Sequence, residues 1–190
     1  MTVGSASGSL LVVAGPPGAG KTTVARLVAQ RLPAPACVVE SDFWWTTIVS
    51  GFVPPWLPEA REQNRVVVRS FSRAAATLAQ GGYQVVLEGI VGPWNLDLVM
   101  DEASSVGAPV LYVVLRPSLA VALARATGRV GEERVSGQPA LTDEEPIRKM
   151  WHEFDGLGEF ERYVIDNTEL DAAQTAAAVC ASLDGNRLLP

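Results

Sequence analysis

The sequence predicts an α/β protein in three layers, in which helices cover both faces of a five-stranded, mostly parallel sheet. Short apolar runs predict strands at 10–14, 37–40, 83–88, 110–116 and 163–166, because strands buried on both faces have continuous apolar stretches. Helical stretches separate most of these runs, and such alternation indicates βαβ units. A glycine-rich turn at 15–20 joins the first strand to a helix.

The helices are predicted from apolar residues that recur three or four positions apart. Val67, Phe71 and Leu78 follow this spacing in the longest helix, which Gly81 closes. Thr142 and Glu145 form a capping-box pattern that opens a later helix. The predicted helices span 21–32, 61–80, 118–127, 142–151 and 172–183. Segments 43–58 and 128–141 fit neither element and are predicted to be functional loops or small lid insertions.

Size and composition favour one domain, and the cysteines favour a reducing compartment. The chain has 190 residues, of which 48% are hydrophobic and 19% charged, so an intrinsically disordered chain is excluded. Residues 1–9 are expected to be a flexible tail without signal-peptide features, and 10–190 one domain. Cys37 and Cys180, in apolar surroundings, are expected to be buried, inert thiols, which favours a cytoplasmic location.

The charge balance and the apolar runs argue against two partners. Lys and Arg number 15 against 21 Asp and Glu, which gives a net charge of −6. A nucleic-acid partner is therefore not expected, because no basic field is present to hold a phosphate backbone. The apolar runs are far shorter than the roughly 20 residues of a membrane-spanning helix, so a membrane partner is not expected either.

The turn after the first strand matches the phosphate-binding pattern G-x-x-x-x-G-K-[ST] in full, from Gly15 to Thr22. Glycines allow the backbone to wrap around an anion, so that successive N–H groups point at phosphate oxygens. The helix that begins near Lys21 adds its positive end. Lys21 supplies a charge for the β and γ phosphates, and the Thr22 hydroxyl can bind Mg²⁺. The predicted phosphate-binding residues are Gly15, Gly18, Ala19, Gly20, Lys21 and Thr22.

With this motif in place, the chain resembles the P-loop kinases of small molecules and nucleotides. That group includes shikimate and gluconate kinases, adenylate-kinase-like enzymes, chloramphenicol phosphotransferase and zeta toxins. The resemblance covers nearly the whole chain in element order, although only Gly15 to Thr22 is specific. It implies a P-loop NTPase fold with strand order 2-3-1-4-5, the cofactors ATP and Mg²⁺, and a contact of Thr23 with the α phosphate.

Two carboxylates follow predicted strands at the edge where such sheets bind ligands. The resemblance implies that Asp42 contacts the acceptor hydroxyl as a base or orienter and lies near Mg²⁺. The alternative is that Asp42 caps the element that follows. Glu88 is expected to support Mg²⁺ or to share the acceptor hydroxyl, unless it is simply a solvent-exposed acid. Gly89 is expected to leave room for a ligand.

The resemblance further implies a lid at about 125–142, whose arginines close over the phosphates. Arg125 and Arg129 lie four residues apart and could converge on one anion if the helix continued; the alternative is a solvated face paired with Glu132 and Glu133. The family's adenine-bordering segment corresponds to Asn167 and Thr168, which could equally cap the last helix.

The acceptor-side segment, at about 43–64, is rich in aromatic residues. Trp44 and Trp45 lie beside Asp42 and predict a flat, partly apolar substrate wall, although a place in the core is an equal alternative. On the following helix, Arg65 and Arg69 could bind an anionic acceptor or face water.

These features predict an ATP- and Mg²⁺-dependent kinase that phosphorylates a hydroxyl group of a small molecule, such as a metabolite, a nucleoside or an antibiotic. Lys21 and Thr22 hold the donor, Asp42 engages the acceptor, Glu88 supports the metal and Arg125 steadies the transition state. The alternatives are a zeta-toxin-like or polynucleotide 5′-kinase and an ATP-binding regulatory module. A monomer or a homodimer is expected.

Overall fold

The computed structural model describes residues 8–128 and 141–183, which contain a five-stranded parallel sheet. The strands are β1 (Leu10–Ala14), β2 (Ala36–Glu40), β3 (Gln84–Gly89), β4 (Val110–Leu115) and β5 (Val164–Ile165). Their order is β2-β3-β1-β4-β5, and all neighbouring pairs are parallel. The predicted fold class and strand order are therefore confirmed.

Seven α-helices lie in the described part of the chain, with two short 3₁₀ helices at Pro58–Ala60 and Gly158–Tyr163. The α-helices are α1 (Lys21–Ala29), α2 (Ser41–Thr46), α3 (Arg61–Gln80), α4 (Pro93–Ser104), α5 (Leu119–Thr127), α6 (Glu144–Glu153) and α7 (Ala172–Leu183). Among the described residues, no helix has both the length and the apolar character that a membrane crossing requires.

The alternating side chains of β1 divide the core into two layers. Leu10 and Val12 pack on one face with residues of α3 and α4. Leu11 and Val13 face the opposite layer, which is formed by α1 and α7. All four side chains are at most 1% exposed. The helices therefore cover both sheet faces, as the continuous apolar runs predict.

Several local predictions differ from the structure. Helix α1 ends at Ala29 instead of residue 32. The predicted capping box is wrong, because Asp143, not Thr142, is the N-cap residue of α6 and its side chain makes no capping bond. Segment 43–58 is not entirely a loop, since its first residues belong to α2.

Some predictions fall outside the described residues. These are most of the tail at 1–9, Arg129, and the part of the predicted lid at 129–140, which includes Glu132 and Glu133. Residues 125–128 of the predicted lid form the end of α5 and the turn that follows it. Cys37 and Cys180 are free thiols, but the predicted burial is wrong, because both side chains are of intermediate exposure.

Candidate nucleotide and acceptor site

The glycine-rich loop joins β1 to α1 and leaves no space for larger residues at two positions. A Cβ at Gly15 would lie 2.3 Å from the carbonyl oxygen of Leu115, and one at Gly18 would lie 2.1 Å from that of Ala122. Gly18 also has φ +78°, a conformation that L side chains disfavour. The loop is thus fitted against the end of β4 and against α5, and its glycines are required by close approach as well as by conformation.

Lys21 is the first residue of α1, and its Nζ donates a hydrogen bond of 3.0 Å to the carbonyl oxygen of Pro16. The lysine is therefore held across its own loop. Thr22 is the second residue of α1, and its hydroxyl donates a hydrogen bond to Oε1 of Glu88 at 3.2 Å. Thr23 is exposed beside it. These residues place a cation and a hydroxyl at the mouth of the loop.

Glu88 is buried near the end of β3, only 3% exposed. In the parallel register it is paired with Val13 of β1, one residue before the end of that strand. Burial raises its pKa from 4.5 to about 7; Asp42 and Glu40 add to the rise, while Lys21 and the Thr22 hydroxyl oppose it. Interpretation of Glu88 as a solvent-exposed acid is therefore wrong.

Asp42 lies in the first turn of α2, directly after β2. The N-cap position is occupied by Glu40, so interpretation of Asp42 as a helix cap is wrong. Its charge is close enough to raise the pKa of Glu88, and both carboxyl groups line one large cavity. The structure thus brings together the two acids that the strand ends predict.

The space beside Gly89 is occupied by protein. A Cβ at Gly89 would lie 2.1 Å from Oγ of Ser41. Gly89 therefore makes room for Ser41 at the crossing of β3 and α2, and its expected role in admitting a ligand is wrong. Within the described residues the Ser41 hydroxyl is buried without a hydrogen-bond partner.

The cavity beside the loop has a volume of about 1190 Å³. Lys21, Thr22, Asp42 and Glu88 line it together with large apolar side chains and further charged groups. Its aromatic residues are Phe52, Trp45, Trp56 and Trp94, and its other cationic residues are Arg61, Arg65 and Lys149. A compartment of this size can enclose a small organic molecule.

One wall of the cavity is tied to α3 by two amide side chains. Asn64 accepts a hydrogen bond from Nε1 of Trp45 at 3.1 Å and donates one to the carbonyl oxygen of Pro55 at 2.7 Å. Gln63 exchanges two bonds with the backbone of Val53, at 2.9 and 2.6 Å. Helix α3 therefore fastens the segment that follows α2 at Val53 and Pro55, and it also holds the Trp45 side chain near the end of α2.

Two residues predicted to contact the acceptor lie elsewhere. Trp44 packs against the core and is not among the described residues that line the cavity. Arg69 forms ion pairs with Asp101 and Glu102 of α4, at 3.6 and 3.4 Å. Trp45 has both predicted roles, since it lines the cavity and also packs against Phe71 of the core.

Residues that sequence reasoning missed complete the cavity. Arg61 lies one helical turn before the predicted Arg65. Trp94 follows the end of β3, and Lys149 comes from α6. The i, i+4 spacing of Arg61 and Arg65 was available as a signal, whereas the approach of α6 depends on tertiary packing.

Arg125, Asn167 and Thr168 lie together on the side of α5. Arg125 donates to the carbonyl oxygens of Asn167 and Leu170, both at 3.4 Å. The side-chain Nδ2 of Asn167 donates to the carbonyl oxygen of Ala19 in the loop at 3.0 Å. The Thr168 hydroxyl accepts a hydrogen bond from the backbone N–H of Ser118 at 2.8 Å. This cluster therefore borders the loop. 

Helix α7 is capped by a different residue. The backbone N–H of Asp171 donates to Oε1 of Gln174 at 2.9 Å, and the backbone N–H of Gln174 donates to Oδ1 of Asp171 at 2.7 Å. Interpretation of Asn167 or Thr168 as the cap of α7 is therefore wrong.

The oxygen donors at the loop suit Mg²⁺, which prefers carboxylates, hydroxyls, water and phosphate oxygens. Thr22, Asp42 and Glu88 are those donors. No group of three or more acidic, histidine or cysteine side chains that could hold a metal occurs in residues 8–128 and 141–183. One hydroxyl and two carboxyl groups fit a Mg²⁺ ion whose other ligands are water and the phosphate oxygens of a nucleotide.

The strand order and the loop between β1 and α1 define the chain as a P-loop NTPase. A family model described as an AAA domain, AAA_33, matches residues 10–157, and the chain belongs to this family. No curated protein sequence matches it significantly.

Solved structures share the fold at low sequence identity. The tunicamycin resistance protein of Deinococcus radiodurans is 23% identical, with 96% of this chain and 99% of that chain covered and a TM-score of 0.63. A sugar kinase from Janibacter sp. HTCC2649 is 20% identical, with coverages of 93% and 95% and a TM-score of 0.67. The Mycobacterium tuberculosis APS kinase, in complex with AMPPNP and APS, is 18% identical, with coverages of 94% and 98% and a TM-score of 0.63.

Proposed function

We propose that the protein is an ATP- and Mg²⁺-dependent phosphotransferase that moves the γ-phosphoryl group to a hydroxyl of a small molecule. The observation that carries this proposal is the juxtaposition of Lys21 and Thr22 with the Asp42 and Glu88 carboxyl groups at one cavity. The kinases among the similar structures support it, and the APS kinase complex with AMPPNP supports a nucleotide donor.

The loop and Lys21 bind the donor phosphates in this proposal. Backbone N–H groups at the start of α1 and the Lys21 ammonium neutralise the β and γ phosphates. To do so, Lys21 exchanges its bond with Pro16 for phosphate oxygens. When bound, Mg²⁺ offsets the charge on the β and γ oxygens, and Thr22, Asp42 and Glu88 are the side chains that would hold it.

Asp42 positions the acceptor. The hydroxyl oxygen of the acceptor forms a bond to the γ phosphorus, the bond from that phosphorus to the β-bridging oxygen breaks, and ADP leaves. The hydroxyl proton passes to the Asp42 carboxylate. Because phosphoryl transfer needs positioning and charge neutralisation more than a strong base, a carboxylate at this place is sufficient.

ADP production from ATP, Mg²⁺ and a library of sugars, nucleosides and hydroxylated antibiotics tests the proposal. With the acceptor found, Asp42→Asn is expected to lower kcat about 100-fold or more and to leave ATP affinity nearly unchanged. Asp97→Asn is the matched control, because Asp97 lines the same cavity from α4. Turnover by Asp42→Asn at the parent rate would contradict the role of Asp42.

The same measurement separates the alternatives. Stimulation by oligonucleotides alone would favour a polynucleotide kinase. Slow ATP hydrolysis that no hydroxyl compound changes would favour a regulatory module and would contradict the proposed function.

A further inference from the structure

The peptide group between Ala19 and Gly20, at the end of the glycine-rich loop, differs from the rest of the loop in what holds it. Gly15 and Gly18 are fixed by packing, since a Cβ at either position would lie within 2.3 Å of a backbone carbonyl oxygen. A Cβ at Gly20 would meet nothing within 4 Å. Packing around Gly20 therefore does not restrict this peptide, and glycine itself restricts the backbone less than any other residue.

A side chain from the other end of the chain supplies the restraint. Nδ2 of Asn167 donates a hydrogen bond of 3.0 Å to the carbonyl oxygen of Ala19. Ala19 is fully buried, and within residues 8–128 and 141–183 no other group donates to its carbonyl oxygen. Because a buried carbonyl oxygen without a donor is costly, this bond holds the peptide in one orientation.

The orientation of this peptide determines where the N–H of Gly20 points. A trans peptide is planar, and its N–H and C=O point in opposite directions. With the Ala19 oxygen turned toward Asn167, the Gly20 N–H points to the opposite side of the loop. Among the described residues, no group accepts a hydrogen bond from it. This N–H is therefore available for a phosphate oxygen, the ligand that the N–H groups of such loops bind.

The turn that carries Asn167 is itself held in place. The Asp166 carboxylate accepts hydrogen bonds from the backbone N–H and the hydroxyl of Thr168, at 2.9 and 2.5 Å. The Thr168 hydroxyl accepts from the backbone N–H of Ser118, and Arg125 donates to the carbonyl oxygen of Asn167. These contacts fix the amide against the loop, which lowers the entropy cost of ordering the loop around an anion.

The chemistry of the contact requires an amide at residue 167. A carbonyl oxygen can only accept, so the donor end of the amide has to face Ala19. Oδ1 of Asn167 is then left buried, without a hydrogen-bond partner among the described residues. An unpaired buried acceptor is unfavourable, so the donor end is the part of this side chain that the site uses.

We propose that Asn167 is a positioning residue for the donor nucleotide, which orients the peptide between Ala19 and Gly20 so that the Gly20 N–H faces the phosphates. This inference rests on the proposed function, because it requires a bound triphosphate. It assigns Asn167 to the phosphates through the loop, whereas a contact with the adenine ring would assign it to the base.

Calorimetric titration with ATP and with inorganic tripolyphosphate, both with Mg²⁺, tests the inference. Tripolyphosphate has the phosphate chain without the base. Asn167→Leu keeps the approximate size of the side chain and removes the donor, and Asn167→Ala is the second variant if Asn167→Leu does not fold. Each is expected to raise Kd for ATP and for tripolyphosphate by the same factor, about 10-fold, and to leave KM for the acceptor nearly unchanged.

Glu169→Gln is the matched control, since Glu169 is exposed in the same turn, and it should bind both ligands as the parent does. Weaker binding of ATP alone would indicate a contact with the base and overturn the inference. A merely structural role of Asn167 would lower the free energy of unfolding in urea without weakening either ligand, which would also overturn it.

The same data separate the inference from the proposed function. If the Asn167 variants keep the parent affinity for both ligands while the parent phosphorylates an acceptor, the inference is wrong and the proposed function stands. If both ligands weaken together but the parent phosphorylates no compound, the proposed function is wrong and the positioning role stands. If the parent binds neither ligand, both are wrong.

Discussion

Glu88 should make the stability of the nucleotide-free protein depend on pH. Its folded-state pKa is about 7 against 4.5 for the exposed group, chiefly because burial penalises the charged form. Well below pH 4.5 the Glu88 carboxyl group is protonated in both the folded and the unfolded state, so its titration does not lower the free energy of unfolding. As the pH rises to about 7, the unfolded state loses its proton first, so the free energy of unfolding falls.

The magnitude follows from the pKa difference. A rise from 4.5 to about 7 corresponds to about 3 kcal/mol of lost stability once both states are ionised. Between about pH 5.5 and pH 8.5, the loss is about 2 kcal/mol, since part of it has already occurred at the lower pH. Glu88→Gln preserves the shape of the side chain and removes the titration.

Urea unfolding of the parent and of Glu88→Gln at these two pH values measures the effect. The stability of Glu88→Gln relative to the parent should increase by about 2 kcal/mol from the lower to the higher pH. Comparison of the two proteins cancels other titrating groups, such as Glu153, whose pKa is also raised by burial. A difference that stays constant with pH would refute the argument that burial controls the ionisation of Glu88.

Two further substitutions test how the site is built. Gly89→Ala should destabilise the protein by about 1–3 kcal/mol, because the new methyl would meet Ser41; Ser41→Gly in the same chain should restore most of the loss in urea unfolding, and a purely conformational role of Gly89 would leave it unrestored. Asn64→Ala should release Trp45 and the following segment, which raises KM for the acceptor several-fold without changing ATP affinity. Asn64→Asp should have a smaller effect on KM, since it retains the bond from Trp45; equal effects on acceptor and ATP would contradict this role.

The fold could be predicted because its signals are local. Each buried strand is a continuous apolar run, and the P-loop pattern lies at a fixed place between a strand and a helix. The strand ends also place Asp42 and Glu88 at one edge of the sheet, which the register of β2 with β3 confirms by pairing Glu40 with Glu88. These features depend on sequence neighbours and on the geometry of parallel strands.

The acceptor side could be predicted only in part, because it depends on how helices rotate and pack. A residue four positions further along an α-helix is turned by roughly 40° around the axis. From Arg61 to Arg69 this turn is roughly 80°, so Arg69 reaches the acids of α4 while Arg61 and Arg65 line the cavity. The i, i+4 spacing gives neighbouring pairs on a helix, but which pair faces the ligand is decided by the position of α4. That position is not encoded in the spacing within α3, and the same limitation applies to Gly89, whose neighbour Ser41 comes from another element.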